Sequence, residues 1–243
     1  MRAAPVGGNN HHRIMIPGQR EWTAMNNAQS ASTSRRSNAL FFEPFAHPVV
    51  MSAIAGVGAG VSYIAATSDP IASWEIELIR WLNHAPDPVA AGLWPVMQLG
   101  SLVGPFIVGG AILVFRRDRV LAGLAVVAGV GTWMAAKGIK QLVSRGRPHL
   151  YMPDVVVRSG DGTGLGYISG HAAVAAVTAV VAMAVLPVRA RPVALVIAAS
   201  VGIARIIYGL HFPADVIGGW SFGTLVGVAV VTHVDHWRRG HQA

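Results

Sequence analysis

At 243 residues, 53% hydrophobic and only 12% charged, with a mean hydropathy of +0.48, the chain carries about half the 25% charge usual in a soluble domain. That composition excludes an ordinary soluble enzyme and implies an integral membrane protein. The lack of cysteine excludes disulfides and thiolate metal sites. The net charge of +8 is mostly Arg and belongs to membrane orientation and lipid headgroups rather than to nucleic acid, for which no binding pattern is present.

Residues 1–46 are polar and rich in Asn, Ser, Arg and Gly. They have neither an apolar period nor a signal-peptide core, and read as a disordered cytoplasmic tail. Pro48 to Thr67 is a charge-free stretch of about 20 residues, enough to span a bilayer. Within residues 69–87, Trp74, Leu78 and Trp81 share one helical face, which predicts a short helix lying in the interface. A second span is expected over residues 89–115, kinked or trimmed by Pro95 and Pro105. After the basic turn Arg116-Arg117-Asp118-Arg119, a third span covers residues 119–142 and carries Lys137 and Lys140 near its end. The polar stretch 143–168 contains Gly160, Gly162, Gly164 and Gly166. No P-loop pattern accompanies them, so they read as loop flexibility. Three more spans follow over 169–187, 192–210 and 214–234, and residues 237–243 read as a second cytoplasmic tail.

The expected fold is therefore an all-α, polytopic bundle of six transmembrane helices over residues 47–236, with both termini on one side. That side carries Arg35, Arg36, Arg116, Arg117, Arg119, Arg189, Arg191, Arg238 and Arg239. The other carries Arg80, Lys140, Arg145, Arg147 and Arg158. The positive-inside rule assigns the termini to the cytoplasm of an inner or plasma membrane.

Charged residues inside an apolar run are functional candidates. Arg205, His211 and Asp215 interrupt the run from Pro192 to Val231. The carboxylate, four residues beyond His211, can fix one ring nitrogen and leave the other to attack an electrophile. The six-span topology brings three polar groups to the outer face: Lys140 with Arg147, Ser169 to His171, and Arg205 with His211 and Asp215. Lys140, Arg147 and Arg205 supply cations suited to phosphate oxygens. Ser169 and Gly170 open a helix whose first N–H groups favour an anion. His171 stands where it can protonate a leaving oxygen. Arg145 and Arg158 are assigned to headgroups, and Lys137 to a supporting role.

These motifs resemble those of the type 2 phosphatidic acid phosphatase family, which includes the vanadium-dependent haloperoxidases. The family's Lys, six residues, Arg-Pro is matched by Lys140 and Arg147-Pro148. Its Pro-Ser-Gly-His is matched by Ile168-Ser169-Gly170-His171. Its Ser-Arg, five residues, His, three residues, Asp is matched by Ala204-Arg205, His211 and Asp215. Ile168 replaces a Pro and Ala204 replaces a Ser, while the chemical groups are retained. The resemblance implies a cofactor-free, metal-independent phosphatase with its site on the extracytoplasmic face. His211 would form a phosphohistidine, oriented by Asp215, and His171 would act as general acid. Lys140, Arg147, Ser169, Gly170 and Arg205 would bind the phosphoryl group.

The implied substrate is a lipid phosphate: a polyprenyl phosphate or diphosphate, phosphatidic acid or phosphatidylglycerol phosphate. The Ala/Val/Arg-rich composition favours a polyprenyl-linked cell-envelope lipid. The alternatives are phosphotransfer to another acceptor from the same site, and a non-catalytic transporter or binding relative. A transporter would spread polar groups through the depth of the spans, whereas these gather at one face.

Overall fold

The structure is a computed structural model that describes residues 25–26, 47–160 and 162–241. The tail expected over residues 1–46 lies outside the described residues apart from Met25 and Asn26. Eight helices carry the fold: α1 Pro48–Thr67, α2 Ser73–Asn83, α3 Asp87–Gln98, α4 Val103–Ala111, α5 Arg119–Val143, α6 Gly170–Val185, α7 Arg191–Ile207 and α8 Pro213–Gly240. No strand occurs among the described residues.

Four stretches are long and apolar enough to cross a membrane: α1, Arg119–Leu150, Val188–Ile207 and α8. The expected second span is instead a bent pair, α3 and α4, meeting at 58° and counting as a fifth span if taken together. The break has local causes. Pro95 lies inside α3, and Pro105 in the first turn of α4 offers no N–H to the preceding turn. Gly100, in the break itself, sits so close to α6 that a Cβ would meet the His171 carbonyl oxygen at 2.6 Å. α6 has only 16 residues, so by this measure the described residues hold four to five candidate spans, and the expected six are not all met by length and composition. α8 continues to Gly240, beyond the expected end of the last span at residue 234.

α6 is the central element. Its Ala- and Val-rich sequence is buried on every face, with Ala172, Ala173, Val174 and Val181 fully enclosed. Between membrane helices, association depends on close van der Waals fit, so small residues at the contact are decisive. α8 supplies them on one stripe: Gly219, Gly223 and Gly227. A Cβ on Gly219 would meet the Ser169 carbonyl oxygen at 2.5 Å, one on Gly223 would collide with that of Ala173, and one on Gly227 would meet Val180 Cβ at 2.7 Å. On the other side of α8, a Cβ on Gly58 of α1 would meet Ser221 Oγ at 2.5 Å. Close packing therefore locks α6 against α8 and brings the two helix N-termini together.

α2 has two faces. Trp74, Leu78 and Trp81 point outward, as the sequence predicts, while Glu75, Ile79 and Asn83 are buried against the protein. Asn83 Nδ2 donates to the carbonyls of Val156 and Ile207, each at 2.9 Å, and its Oδ1 accepts from Val156 N–H at 2.8 Å. The helix is thus docked onto the end of α7 and the loop before α6.

The glycine stripe yields a test by thermal unfolding in detergent. Gly223→Val should destabilise the protein by at least about 1–3 kcal/mol through overpacking. Gly110→Ala in α4, where a Cβ meets nothing within 4 Å, should leave stability unchanged or raise it by up to about 1 kcal/mol.

Candidate active site

The site forms where the α6–α8 contact meets the loops at that end of the bundle. Ser169 is the N-cap of α6, and its hydroxyl accepts from Ala172 N–H at 3.5 Å. Its own N–H donates to the Asp215 carbonyl at 2.8 Å. Pro213 begins α8, where its missing N–H removes no helical bond. Asp215, one turn in, accepts from Phe212 N–H through Oδ2 at 2.9 Å. The same oxygen stands 3.4 Å from His211 Nδ1. Both side chains are buried, His211 at 2% exposure and Asp215 at 0%.

Three cations face this pair. Lys140 Nζ donates to the carbonyls of Leu165 and Gly166 at 2.9 and 2.7 Å. Arg147 Nη1 donates to the Leu210 carbonyl at 3.4 Å. Arg205 Nη1 lies 3.6 Å from Met97 Sδ, and its Nε is buried without a hydrogen-bond partner. An unsatisfied buried donor costs about 1–3 kcal/mol, which an acceptor placed beside this guanidinium would recover. Burial, followed by the positive charges of Lys140, Arg205 and Arg147 and by His171, holds the His211 ring well below its ordinary pKa of 6.5. The ring is therefore neutral at pH 7, the form a nucleophile requires.

The described part of the loop before α6 has a turn geometry that depends on glycine. Gly160, Gly162 and Gly164 adopt positive φ values of 69°, 68° and 84°, conformations that side-chain-bearing residues rarely accept. A Cβ on Gly162 would meet the His149 ring at 2.9 Å. Gly166 N–H donates to the Arg145 carbonyl at 2.7 Å while the Gly166 carbonyl holds Lys140. This turn geometry seats Lys140. Gly170 differs: a Cβ there would meet only Ala136 Cβ and Trp133 Cδ1, each at 3.9 Å. Packing within the protein would tolerate a methyl group at that point.

Arg145 is the main departure from the sequence reading. It is not a headgroup contact. Its side chain is 4% exposed and pairs with Glu75 at 2.7 Å and Asp215 at 3.0 Å. Glu75, on the buried face of α2, also accepts from Ala214 N–H at 2.9 Å. The available signals were Arg145's place between Lys140 and Arg147 and a carboxylate on the face of α2 opposite Trp74 and Trp81. Arg158 likewise holds the loop, donating to Asp87 at 3.2 Å and to the Ile207 and Ala85 carbonyls at 2.7 and 3.0 Å. Lys137 Nζ sits over the Trp133 ring, 3.6 Å from its centroid. Among the described residues no group of three or more His, Cys, Asp or Glu could hold a metal ion.

Residues 119–239 match the model of the PAP2 superfamily, and that stretch contains Lys140, Arg147, Ser169, Gly170, His171, Arg205, His211 and Asp215. This half of the chain belongs to the PAP2 superfamily. The chain is 36% identical over 126 residues to a decaprenylphosphoryl-5-phosphoribose phosphatase of Mycobacterium tuberculosis, covering 50% of this chain and 65% of that relative. It thus spans just under two thirds of that relative's length. It is 26% identical over 154 residues to an undecaprenyl-diphosphatase of Sulfolobus acidocaldarius, covering 63% of this chain and 75% of the relative. The fold resembles that of a transmembrane PAP2-type phosphatidylglycerolphosphate phosphatase from Bacillus subtilis, with a TM-score of 0.62 and 23% identity over 78% of this chain and 96% of the other.

Within this PAP2 core, Ile168 and Ala204 are buried at 2% and 0% exposure. Each fills packing space beside the polar site.

The depressed His211 pKa makes a stability prediction. Below about pH 6.5 the unfolded chain binds a proton that the native ring refuses. Wild-type stability relative to His211→Asn should therefore be greatest above pH 6.5 and decline as pH falls toward 5. Paired thermal melts across that range check the sign.

Proposed function

We propose that the protein is an integral membrane phosphatase that hydrolyses a lipid phosphomonoester or diphosphate through a phosphohistidine. The observation that carries this reading is the convergence of Lys140, Arg147 and Arg205 on a buried, neutral His211 beside the α6 N-terminus. Six membrane passages are part of the proposal: α1, the bent pair α3–α4, α5, α6, α7 and α8. The charge bias supports cytoplasmic termini and an extracytoplasmic site.

Asp215 occupies His211 Nδ1, and Nε2 is the nitrogen that attacks phosphorus. As the P–N bond forms, the P–O bond to the lipid breaks, and His171 gives its proton to the departing oxygen. Lys140, Arg147, Arg205, the Ser169 hydroxyl and the first N–H groups of α6 take up charge on the phosphoryl oxygens. Such fixed donors in a water-poor site do most of the work of phosphoryl transfer. Water then attacks the phosphohistidine, yields its proton to His171 and releases inorganic phosphate as the P–N bond breaks. No metal is assigned a step.

Relatives named for decaprenylphosphoryl and undecaprenyl substrates favour a polyprenyl-linked lipid. The substrate's phosphate would meet the polar end of the bundle while its chain stays among the helices. Residues of α2, with Trp74 and Trp81 outward, would then border the lipid surface.

Detergent-purified protein should release phosphate from a panel of prenyl phosphates and diphosphates, phosphatidic acid and phosphatidylglycerol phosphate. Release should persist in EDTA and fall by about 10³-fold or more in His211→Ala. Equal activity in wild type and His211→Ala would overturn the mechanism. Gly170→Ala should fold normally and weaken inhibition by inorganic phosphate, because the added methyl intrudes on the anion rather than on the protein.

A further inference from the structure

Behind Asp215 the site has a polar layer, Arg145 and Glu75, that none of its proposed chemistry uses. Arg145 Nη2 meets Glu75 Oε1 at 2.7 Å, and its Nη1 meets Glu75 Oε2 at 3.3 Å and Asp215 Oδ1 at 3.0 Å. The guanidinium also lies 4.5 Å from the centre of the Phe212 ring. Glu75 and Asp215 are both 0% exposed. Burying such a triad is a poor way to gain stability, because desolvation offsets most of the attraction. Its distinctive effect is on direction.

Asp215 sits in a field of cations. Its Oδ2 must face His211 Nδ1, yet Lys140 also attracts it. Phe212 N–H holds Oδ2 from one side and Arg145 holds Oδ1 from the other. With both oxygens fixed, the carboxylate cannot turn toward Lys140. Arg145 itself needs restraint, since a free guanidinium beside a phosphate site would swing to the incoming anion. Glu75 supplies that restraint with a two-point pairing from α2, and it ties down Ala214 N–H at the start of α8 at 2.9 Å.

We infer that Glu75 and Arg145 are positioning residues that act on the nucleophile His211 through Asp215, which makes α2 part of the catalytic unit and not only an interfacial anchor. The inference rests on the proposed phosphatase reading. It adds two residues to that reading, one of which, Glu75, lies outside the PAP2-matched stretch.

A mutant cycle on the best substrate of the panel tests it. Glu75→Gln keeps the volume and an acceptor for Ala214 N–H but removes the charge. It should lower kcat by about 10- to 100-fold, as a small misplacement of a reacting group does, with KM changed by less than about twofold. In an Asp215→Asn background the same substitution should cost less than about twofold, because residues acting as one unit do not lose activity independently. Arg145→Lys, which keeps the charge but not the fork, should behave alike and carries the cycle if Glu75→Gln does not fold. Losses that multiply fully in the Asp215→Asn background would overturn the inference while leaving the phosphatase reading intact. Collapse of both single variants would overturn it in favour of a purely structural triad. An inactive wild type would instead remove the reading on which it rests.

Discussion

The close approach of α6 and α8 is the constraint on which the rest depends. Gly219 and Gly223 let the backbone of α8 pass against the carbonyls of Ser169 and Ala173, and a single side chain on that stripe would push the helices apart. Because the two helices start at the same end of the bundle, their contact sets the distance between the anion-favouring N-terminus of α6 and the His211–Asp215 pair. The hydrogen bond from Ser169 N–H to the Asp215 carbonyl, 2.8 Å, is the direct link. In a membrane, where apolar burial alone does not hold helices together, backbone proximity is the available means of fixing such a geometry.

Around that contact the protein layers charge by function. Lys140, Arg147 and Arg205 face the proposed phosphate position. Behind the proposed nucleophile stands a carboxylate, and behind the carboxylate an arginine and a second carboxylate. The alternation of sign lets Asp215, Arg145 and Glu75 share a small buried volume, since each has an opposite neighbour. Arg205 has a buried Nε without a hydrogen-bond partner among the described residues. A buried guanidinium short of acceptors beside a helix N-terminus is compatible with the proposed phosphate position.

Much of the site was legible in sequence because its members are polar residues set in apolar runs, where each stands out. Lys140, His171, Arg205, His211 and Asp215 stand out that way, while Arg147, Ser169 and Gly170 are picked out by their spacing, the helix start and the family resemblance; all lie within the PAP2-matched region. Arg145 and Glu75 were not picked out. Arg145 lies in a stretch rich in cations, where a headgroup contact explains any one of them. Glu75 lies on a mixed helix whose aromatic face drew the reading toward the interface. The row Gly219, Gly223 and Gly227 passed unnoticed because glycine is frequent along the whole chain, and only a facing backbone distinguishes a packing glycine from an idle one.

By itself the sequence determined that the protein is helical and membrane-embedded, and where most of its helices run, because hydropathy and charge-free length are local properties of the chain. It also determined the chemical types at the site, through spacings of four to eight residues that one helix or loop enforces. Tertiary structure alone decided the remainder. Pro95 and Pro105 give the bend between α3 and α4 a local cause, but the packing of Gly100 against α6 at that bend is invisible along the chain. The pairing of Glu75 with Arg145 joins residues 70 positions apart, and no local pattern records such a partner. Whether a charged residue meets solvent, lipid or an opposite charge depends on what packs against it, and packing is settled only when all the helices are in place.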